Sequence, residues 1–305
     1  MDASEKILGK TEGYGVEEWR RDNPMDYFKA IELLGMTSDK DDAFRSLFNI
    51  CKLHVPDRLF KYYGLSDNQE LNDSKIETLA ASRVYAASVK SLNDPFDCRA
   101  YFYRAEPLIE KFGFDPVGSI GDMTTMALIT SFTACDENSM PMWAHYANNH
   151  AGYCVEYDMT DKENTSLRGL VFPVQYSNHR LDLTRFYEKQ LETIIDKVQK
   201  NTASGVNKTI IDDLSLVYLP LLLCNVKHPS WSYEKEFRCS IGATAKGAPY
   251  VYAKPKTIFV GLRCADENKA KLEQVISDLG IGIRQMTFDS ASSEYLLESS
   301  ELDEI

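Results

Sequence analysis

The sequence lacks a hydrophobic run long enough to cross a bilayer. Its longest apolar stretch, residues 214–226, is interrupted by Ser215, Pro220 and Asn225, whereas a membrane-spanning helix needs about 20 mostly apolar residues. The first ten residues carry four charges and no apolar run of seven, so they do not have the pattern of a secretory signal. We therefore expect a protein with no membrane span.

Cysteines at the two-residue spacing of zinc knuckles and thioredoxin-like redox sites are also missing. The seven cysteines are odd in number and scattered along the chain. This usage is typical of free thiols in a reducing compartment. We therefore expect a cytoplasmic protein with no metal site.

Basic residues are too few for general binding to nucleic acid. Lysine and arginine number 34 against 46 acidic residues, which gives a formal net charge of -12. Such a charge opposes non-specific attraction to nucleic acid and to anionic lipid. A strong general affinity for nucleic acid is thus not expected.

The well-known catalytic motifs are absent as well. The sequence contains no Gly-rich phosphate loop, no GxSxG elbow, no HExxH helix and no kinase signature set. Its 305 residues and 44% hydrophobic content suit one large or two ordinary globular domains. Chemistry must be sought in less familiar groups of residues.

The chain divides into three parts by its patterns. Apolar residues recur every three or four positions between residues 17 and 51, which predicts a helical N-terminal extension over residues 1–55. Short β-rich runs separated by helical patterns follow over residues 56–290. Residues 291–305 are rich in glutamate and aspartate and are predicted to form a solvated acidic tail.

Strand patterns outnumber helix patterns in the middle part, and they do not alternate one for one. This favours an α+β fold with a mostly antiparallel, split sheet and flanking helices. A capping box at residues 74–77 predicts the start of a helix. Longer helices are predicted over residues 183–202 and 209–223, and a strand over residues 233–240.

The first cluster of interest is the segment 91–98. Asn93, Asp94 and Pro95 are strong turn formers, because Asn and Asp side chains bond nearby backbone amides and proline fixes φ. The segment is therefore either a rigid turn or a turn in which Asn93, Asp94 or Asp97 orients a catalytic group. A carboxylate pair without a third ligand is a weak metal signal.

The second cluster is the segment 142–154, which is predicted to begin as a short helix launched by Pro141. Trp143 and Tyr146 share a face of that helix, so part of the pattern is ordinary core packing. His145 projects elsewhere. A helix end rich in polar aromatic residues is also typical of a cleft wall, which makes His145, His150 and Tyr146 candidates for catalysis or ligand binding.

The third cluster is the segment 227–240. Period two in a strand places Glu234, Glu236 and Arg238 on one face. That face either is solvated or projects one glutamate into a cleft. We favour Glu236, because Arg238 beside it can orient the carboxylate and keep it ionised. We expect all three clusters to meet at one cleft.

The ordered series of these motifs resembles the bacterial family called domain of unknown function 2971. It is carried by residues 60–63, 85–88, 92–97, 131–132, 142–154 and 233–238. The resemblance covers about residues 56–262. It implies no established reaction.

A looser resemblance is to ADP-ribosyltransferases, and it rests on the order of residue types. Arg58 or Lys61 with Tyr62, then Tyr85 and Ser88, then Glu234 or Glu236 match that order. The resemblance implies that NAD is a substrate, that an aromatic ring stacks on nicotinamide, and that the glutamate bonds a ribose hydroxyl. A dissociating glycosidic bond needs a nearby carboxylate and a stacking surface.

These arguments define a set of candidate residues for the enzyme hypothesis. The candidate catalytic residues are Glu236, Glu234, Tyr85 and His145. The candidate NAD-binding residues are Arg58, Lys61, Tyr62, Ser88, Asn93, Asp94, Trp143, Tyr146 and Arg238.

Three functions remain open at this point. The first is a transferase or glycohydrolase that cleaves the ribosyl bond of NAD or another small nucleotide. The second is a non-enzymatic ligand-binding or sensor module, and the third is a metal-dependent nuclease using Asp94, Asp97 and Glu236. A glutamate at a pocket floor beside an aromatic ring favours the enzyme, whereas two solvent-facing glutamates favour the module.

Overall fold

The computed structural model describes residues 15–37, 39–115, 127–205, 215–242 and 249–301. Within these ranges the helices are α1 (Val16–Asp22), α2 (Tyr27–Met36), α3 (Lys40–His54), α4 (Gln69–Ala80), α5 (Ala105–Phe112), α6 (Met140–Tyr146), α7 (Thr165–Leu170), α8 (Thr184–Ala203), α9 (Ser215–Leu223) and α10 (Asp266–Leu279). Short 3-10 helices span Val89–Ser91, Lys162–Asn164 and Pro229–Glu234.

The strands are β1 (Arg58–Tyr63), β2 (Arg83–Tyr85), β3 (Ala87–Ser88), β4 (Tyr101–Phe102), β5 (Ala127–Thr133), β6 (Tyr153–Asp158), β7 (Val171–Pro173), β8 (Gln175–Tyr176), β9 (Leu181–Asp182), β10 (Val226–Lys227), β11 (Glu236–Gly242), β12 (Tyr250–Tyr252), β13 (Thr257–Val260), β14 (Gly282–Phe288) and β15 (Leu297–Glu301).

Nine strands form the main sheet, in the order β15-β14-β13-β6-β1-β5-β11-β7, with β3 also paired to β5. β13 and β14 run parallel, while the other neighbouring pairs of this sheet are antiparallel. The α+β prediction is confirmed, but the sheet is mixed rather than the mostly antiparallel, split sheet we expected. The physical reason is α10, because a helical crossover returns the chain in the same direction.

Helices cover both faces of this sheet. On one face, Ile76 and Leu79 of α4 and Leu272 and Val275 of α10 belong to the largest buried cluster. On the other face, Met142 and Trp143 of α6 pack with residues of β1, β6, β13 and β14. The sheet is therefore buried on both faces near β1, which is where the candidate site lies.

The N-terminal helices pack onto the α+β part of the chain. Asp26 and Asp39 cap α2 and α3 by accepting hydrogen bonds from backbone amides. Tyr27 is completely buried, and its hydroxyl donates to the carbonyl of Pro173 at 2.6 Å. These helices contribute to one buried cluster with Phe172 of β7, so they extend the core beyond the sheet.

Two local predictions need correction, and a third lies partly outside the described residues. The helix predicted from residue 74 begins five residues earlier, because Asn68 accepts a bond from the amide of Leu71 and caps it. Residues 297–301 of the predicted acidic tail form β15, whose pairing with β14 is reinforced by Arg284 and Glu301 at 2.8 Å. The predicted helix over residues 209–223 is seen only as α9, since residues 206–214 lie outside the described ranges.

Membrane insertion by a helix finds no support in the described residues. None of their helices combines the length and the apolar character that a bilayer span requires.

Candidate functional site

Glu234 and Glu236 come together through a turn and not through one strand. The chain from Pro229 to Glu234 is a 3-10 helix, Lys235 has a φ of 44°, and β11 begins only at Glu236. The predicted strand over residues 233–240 is therefore wrong at its start, because Pro229 favours a helical first turn. The left-handed residue lets both neighbouring glutamates reach one ammonium group.

That ammonium group belongs to Lys227 of β10. Its Nζ donates to Glu234 Oε2 at 2.6 Å and to Glu236 Oε2 at 3.0 Å, and Asp97 Oδ2 lies 3.8 Å away. Burial lowers the pKa of Lys227, but the two glutamates outweigh burial and raise it above its usual value. The lysine therefore stays charged between the carboxylates.

Arg238 completes this buried network from beneath. Its guanidinium donates to both oxygens of Asp97, to both oxygens of Glu236 and to the carbonyl of Cys224. These bonds occupy its five N–H donors, and the side chain is completely buried. The predicted ligand-binding role of Arg238 does not fit this geometry, because the side chain faces the protein; it positions Asp97 and Glu236.

A cavity of about 160 Å³ lies above this network. Its wall combines β1, β5, α6, the turn after Val89–Ser91 and the start of β11. The lining residues are Phe60, Lys61, Tyr62, Leu92, Asn93, Asp97, Ser131, Phe132, Thr133, Met142, Tyr146, Lys227, Glu234 and Glu236. The three clusters singled out in the sequence thus meet here, as expected.

Glu234 has the environment of a reactive carboxyl group. Its Oε1 accepts a hydrogen bond from the hydroxyl of Tyr146, and its Oε2 accepts one from Nζ of Lys227. Burial raises the pKa of Glu234, although both partners counteract the rise. A carboxylate has about four acceptor positions, so these bonds occupy two of them in a side chain that lines the cavity.

Glu236 is a fixed anion by comparison. Burial alone would raise its pKa, but Arg238 and Lys227 hold the pKa at about 2. Arg238 orients and ionises this carboxylate, as we expected from the sequence. Its oxygens are saturated by Arg238, Lys227 and a side-chain bond from Ser131, which leaves it little capacity to accept further bonds. The geometry therefore does not support the preference for Glu236 over Glu234 that we drew from the sequence.

Lys61 is the third cation at the cavity. Its Nζ donates to the carbonyl of Ser131 at 2.9 Å and lies 5.5 Å from the ring centre of Tyr63 and 5.7 Å from that of Phe132. Burial lowers the pKa of Lys61 to about 8, and Glu236 opposes this shift. The charge of the cavity therefore changes near pH 8.

A second, larger cavity of about 660 Å³ lies beside the first. Lys227 lines both cavities. Four pairs of consecutive residues divide between them, with one member at each cavity: Asn93 and Asp94, Phe96 and Asp97, His145 and Tyr146, and Tyr233 and Glu234. His145 Nδ1 and the hydroxyl of Tyr233 share a hydrogen bond of 2.8 Å. This bond joins α6 to the 3-10 helix at the boundary between the cavities.

Several predicted site residues lie at neither cavity. Arg58 pairs with Glu156 at 2.8 Å near the opposite end of β1. Tyr85 is 53% exposed and contacts Tyr250 across the separate β2–β12 ladder, because its strand does not join the main sheet. The roles expected of Arg58 and Tyr85 are therefore not supported by their positions.

Ser88 and Trp143 also have structural partners. Ser88 accepts a bond from the amide of Lys90 and caps the 3-10 helix that follows. Trp143 is completely buried, with its Nε1 bonded to the carbonyl of Glu137 at 2.6 Å. Its ring stacks on His150 and meets Tyr62 edge-on, so Trp143 supports the cavity wall from behind.

The described residues do not assemble a metal centre from His, Cys, Asp and Glu side chains. Asp97 and Glu236, two of the three carboxylates of the nuclease hypothesis, are paired to Arg238. The third, Asp94, accepts a bond from Trp231 Nε1 at 2.8 Å. All three carboxylates are thus engaged by cations or donors of the chain.

Sequence reasoning missed Lys227 as the centre of the network. It follows a run of apolar residues, 214–226, and it meets its partners only because β10 pairs with β8 beside the 3-10 helix. The one sequence feature that pointed to Lys227 was its position at the start of the segment 227–240. A lysine that directly follows such a run is a candidate for burial with acidic partners.

Fold and site together define an α+β protein with a buried ion-pair network beneath a small cavity. The model of the family described as "Protein of unknown function (DUF2971)" matches residues 142–239. The match runs from α6 to β11 and so includes Tyr146, Lys227, Glu234, Glu236 and Arg238. Searches of curated proteins and of solved structures returned no match.

Proposed function

We propose that this protein is an enzyme that cleaves the ribosyl bond of a small nucleotide, with NAD as the expected substrate. The observation that carries the proposal is Glu234, a buried carboxyl group that lies at a cavity wall between Tyr146 and Lys227. A ribose presents hydroxyl groups that such a carboxylate can accept. No metal cofactor enters the proposed reaction.

Cleavage of a ribosyl bond requires stabilisation of the positive charge that develops on the sugar. When the C1′–N bond of a ribosyl group breaks, its electron pair leaves with the nitrogen ring and the sugar gains oxocarbenium character. Glu234 bonds the ribose hydroxyl, and the fixed carboxylate of Glu236 supplies negative potential from below. Water or an acceptor hydroxyl then adds to C1′ and releases its proton.

The cavity also supplies aromatic surface. Phe60, Tyr62, Phe132 and Tyr146 line it, and a flat leaving group such as nicotinamide packs well against such rings. The volume of about 160 Å³ is below the usual 300–1,000 Å³ of a complete ligand site. The small cavity therefore takes only the nicotinamide end of the substrate, with the ribose at its boundary, where Glu234 lies next to Tyr233 of the larger cavity.

The test is incubation of the purified protein with NAD while nicotinamide and ADP-ribose are separated by chromatography. We expect both products in equal amounts when water is the acceptor, and a loss of at least about 100-fold in Glu234→Gln, the range for removing one electrostatic stabiliser. Glu32→Gln, an exposed site on α2, is the matched control and should retain full activity.

A second candidate function is a nucleotide-binding module without catalysis. The observation that favours it is the saturation of Arg238 and Glu236 by each other and by neighbouring groups, because networks of this kind also serve only to hold a fold together. This function predicts nucleotide binding without release of nicotinamide.

A further inference from the structure

The larger cavity has features that the proposed reaction does not use. Its volume of about 660 Å³ falls within the range of sites that hold a whole small-molecule ligand. It shares Lys227 with the smaller cavity. A ligand whose reactive ring reaches Glu234 in the smaller cavity can therefore place its remaining atoms in the larger cavity.

Arg180 gives this cavity an oriented positive charge. Its Nε donates to the carbonyl of Arg99 at 2.7 Å, and its Nη2 donates to the carbonyl of Tyr101. Neutral carbonyls fix the side chain without cancelling its charge, and no carboxylate in the described ranges pairs with it. A guanidinium held in this way is suited to a phosphate group, which it binds through parallel N–H donors.

Most of the other charged side chains around the cavity are basic. Asp94 is the one acidic side chain among the described residues that line it, and both of its oxygens accept bonds, from Trp231 Nε1 at 2.8 Å and from the amide of Phe96 at 2.9 Å. Arg99 and Lys227 also line it, but the charge of Lys227 is already balanced by Glu234 and Glu236, so the unbalanced positive charge is that of Arg180. The cavity therefore favours an anionic ligand.

Aromatic rings provide the second half of the recognition. Trp231 is immobilised by its bond to Asp94 and by Lys227, whose Nζ lies 4.8 Å from the ring centre. Phe96 is 79% exposed and also lines the cavity. Such rings form stacking surfaces for a nucleobase, and Phe96 is exposed enough to offer one.

We propose that the larger cavity is a binding site for a nucleoside phosphate, with the phosphates on Arg180 and the base against Trp231 and Phe96. The inference deepens the proposed function and rests on it for the link between this ligand and ribosyl-bond cleavage. Binding itself needs no reaction, so the two proposals can fail separately.

The experiment is titration calorimetry of the full chain with ADP and, separately, with adenosine at one fixed ionic strength. We expect ADP to bind and adenosine to bind at least tenfold more weakly, because adenosine lacks the anionic group. Arg180→Gln should weaken ADP binding at least tenfold and leave adenosine unchanged, whereas Arg21→Gln, exposed on α1, should bind ADP as the native protein does.

Phe96→Ala tests the aromatic half without disturbing the core. It should weaken both ADP and adenosine severalfold, and Phe288→Ala, another exposed phenylalanine, should change neither. Absence of ADP binding at millimolar concentration, or equal ADP affinity in native protein and Arg180→Gln, would overturn the inference. NAD cleavage without ADP binding rejects this inference alone, while ADP binding of the expected pattern without NAD cleavage rejects only the proposed reaction.

Discussion

Arg238 and Asp97, which are 141 residues apart in the sequence, are joined by two parallel hydrogen bonds of 2.7 and 2.8 Å. The pair ties the turn after Val89–Ser91 to β11 and thereby closes one wall of the small cavity. Two parallel hydrogen bonds between a guanidinium group and a carboxylate make a strong and directional interaction. The shape of the site therefore depends on a contact that lies beneath it.

Asp97→Asn should destabilise the fold markedly. The substitution leaves the buried Arg238 short of one negative partner, and breaking a buried ion pair in this way costs about 3–5 kcal/mol. Urea unfolding measures the effect. Asp41→Asn, which alters an exposed side chain on α3, should change the free energy of unfolding by less than about 0.5 kcal/mol; equal effects at the two sites would contradict the structural role of Asp97.

Glu236 should make stability depend on acid pH. Its pKa is about 2 in the folded protein against 4.5 ordinarily, so its contribution is complete above pH 4.5 and is lost as pH falls towards 2. The difference in unfolding free energy between native protein and Glu236→Gln should therefore shrink across this window. A difference that stays constant from pH 5 to 2.5 would show that Glu236 has an ordinary pKa.

Lys61 should also make stability rise with pH, but at alkaline pH. Its pKa is about 8 in the folded protein and 10.5 ordinarily, so between these values the unfolded chain binds more protons and stability rises with pH. Native protein should gain stability relative to Lys61→Met from pH 8 to 10. No gain in this comparison would mean that the lysine is not desolvated.

Gly152 should be irreplaceable at the junction of α6 and β6. A Cβ atom there would lie 1.8 Å from the carbonyl oxygen of Tyr63, and backbone cannot yield to that contact. We expect Gly152→Ala to lose at least about 3 kcal/mol of stability. Gly169→Ala has no atom within 4 Å of the new Cβ and should be tolerated; similar melting temperatures would refute the close approach.

Tyr146→Phe should move the pH profile of the proposed reaction. The hydroxyl of Tyr146 helps to lower the pKa of Glu234 against the effect of burial, so its removal raises that pKa further. The acidic limb of the rate profile should shift to higher pH, with a loss of about tenfold at pH 7, which corresponds to about 1.4 kcal/mol, near the low end for one hydrogen bond to a charged group. Tyr295→Phe, at an 83% exposed site, should keep the native profile.

Local chemistry in the sequence was enough to find the small cavity. The turn at Asn93, the helix with Tyr146 and the segment with Glu234 and Glu236 were chosen for their density of polar and aromatic groups, and all three line it. Pro141 also marked the start of α6 as expected. These features are local, so short-range patterns reveal them.

Contacts between distant segments could not be foreseen in the same way. The left-handed turn at Lys235 moved Glu234 off the predicted strand, and strand periodicity does not report such a turn. Arg180 reaches its cavity from a segment that carries no recognisable motif. Tyr85 matched an expected order of residues but lies on a ladder outside the main sheet, since order alone does not set sheet membership.

The central claim is that Glu234 is the carboxyl group that meets the ribose. Its most direct test is the rate of nicotinamide release from NAD by native protein and by Glu234→Gln, with circular dichroism confirming that both are folded. We expect measurable release by native protein and a loss of at least about 100-fold in the variant. Equal rates in the two proteins, or no release by the native protein at high concentration, would contradict the claim.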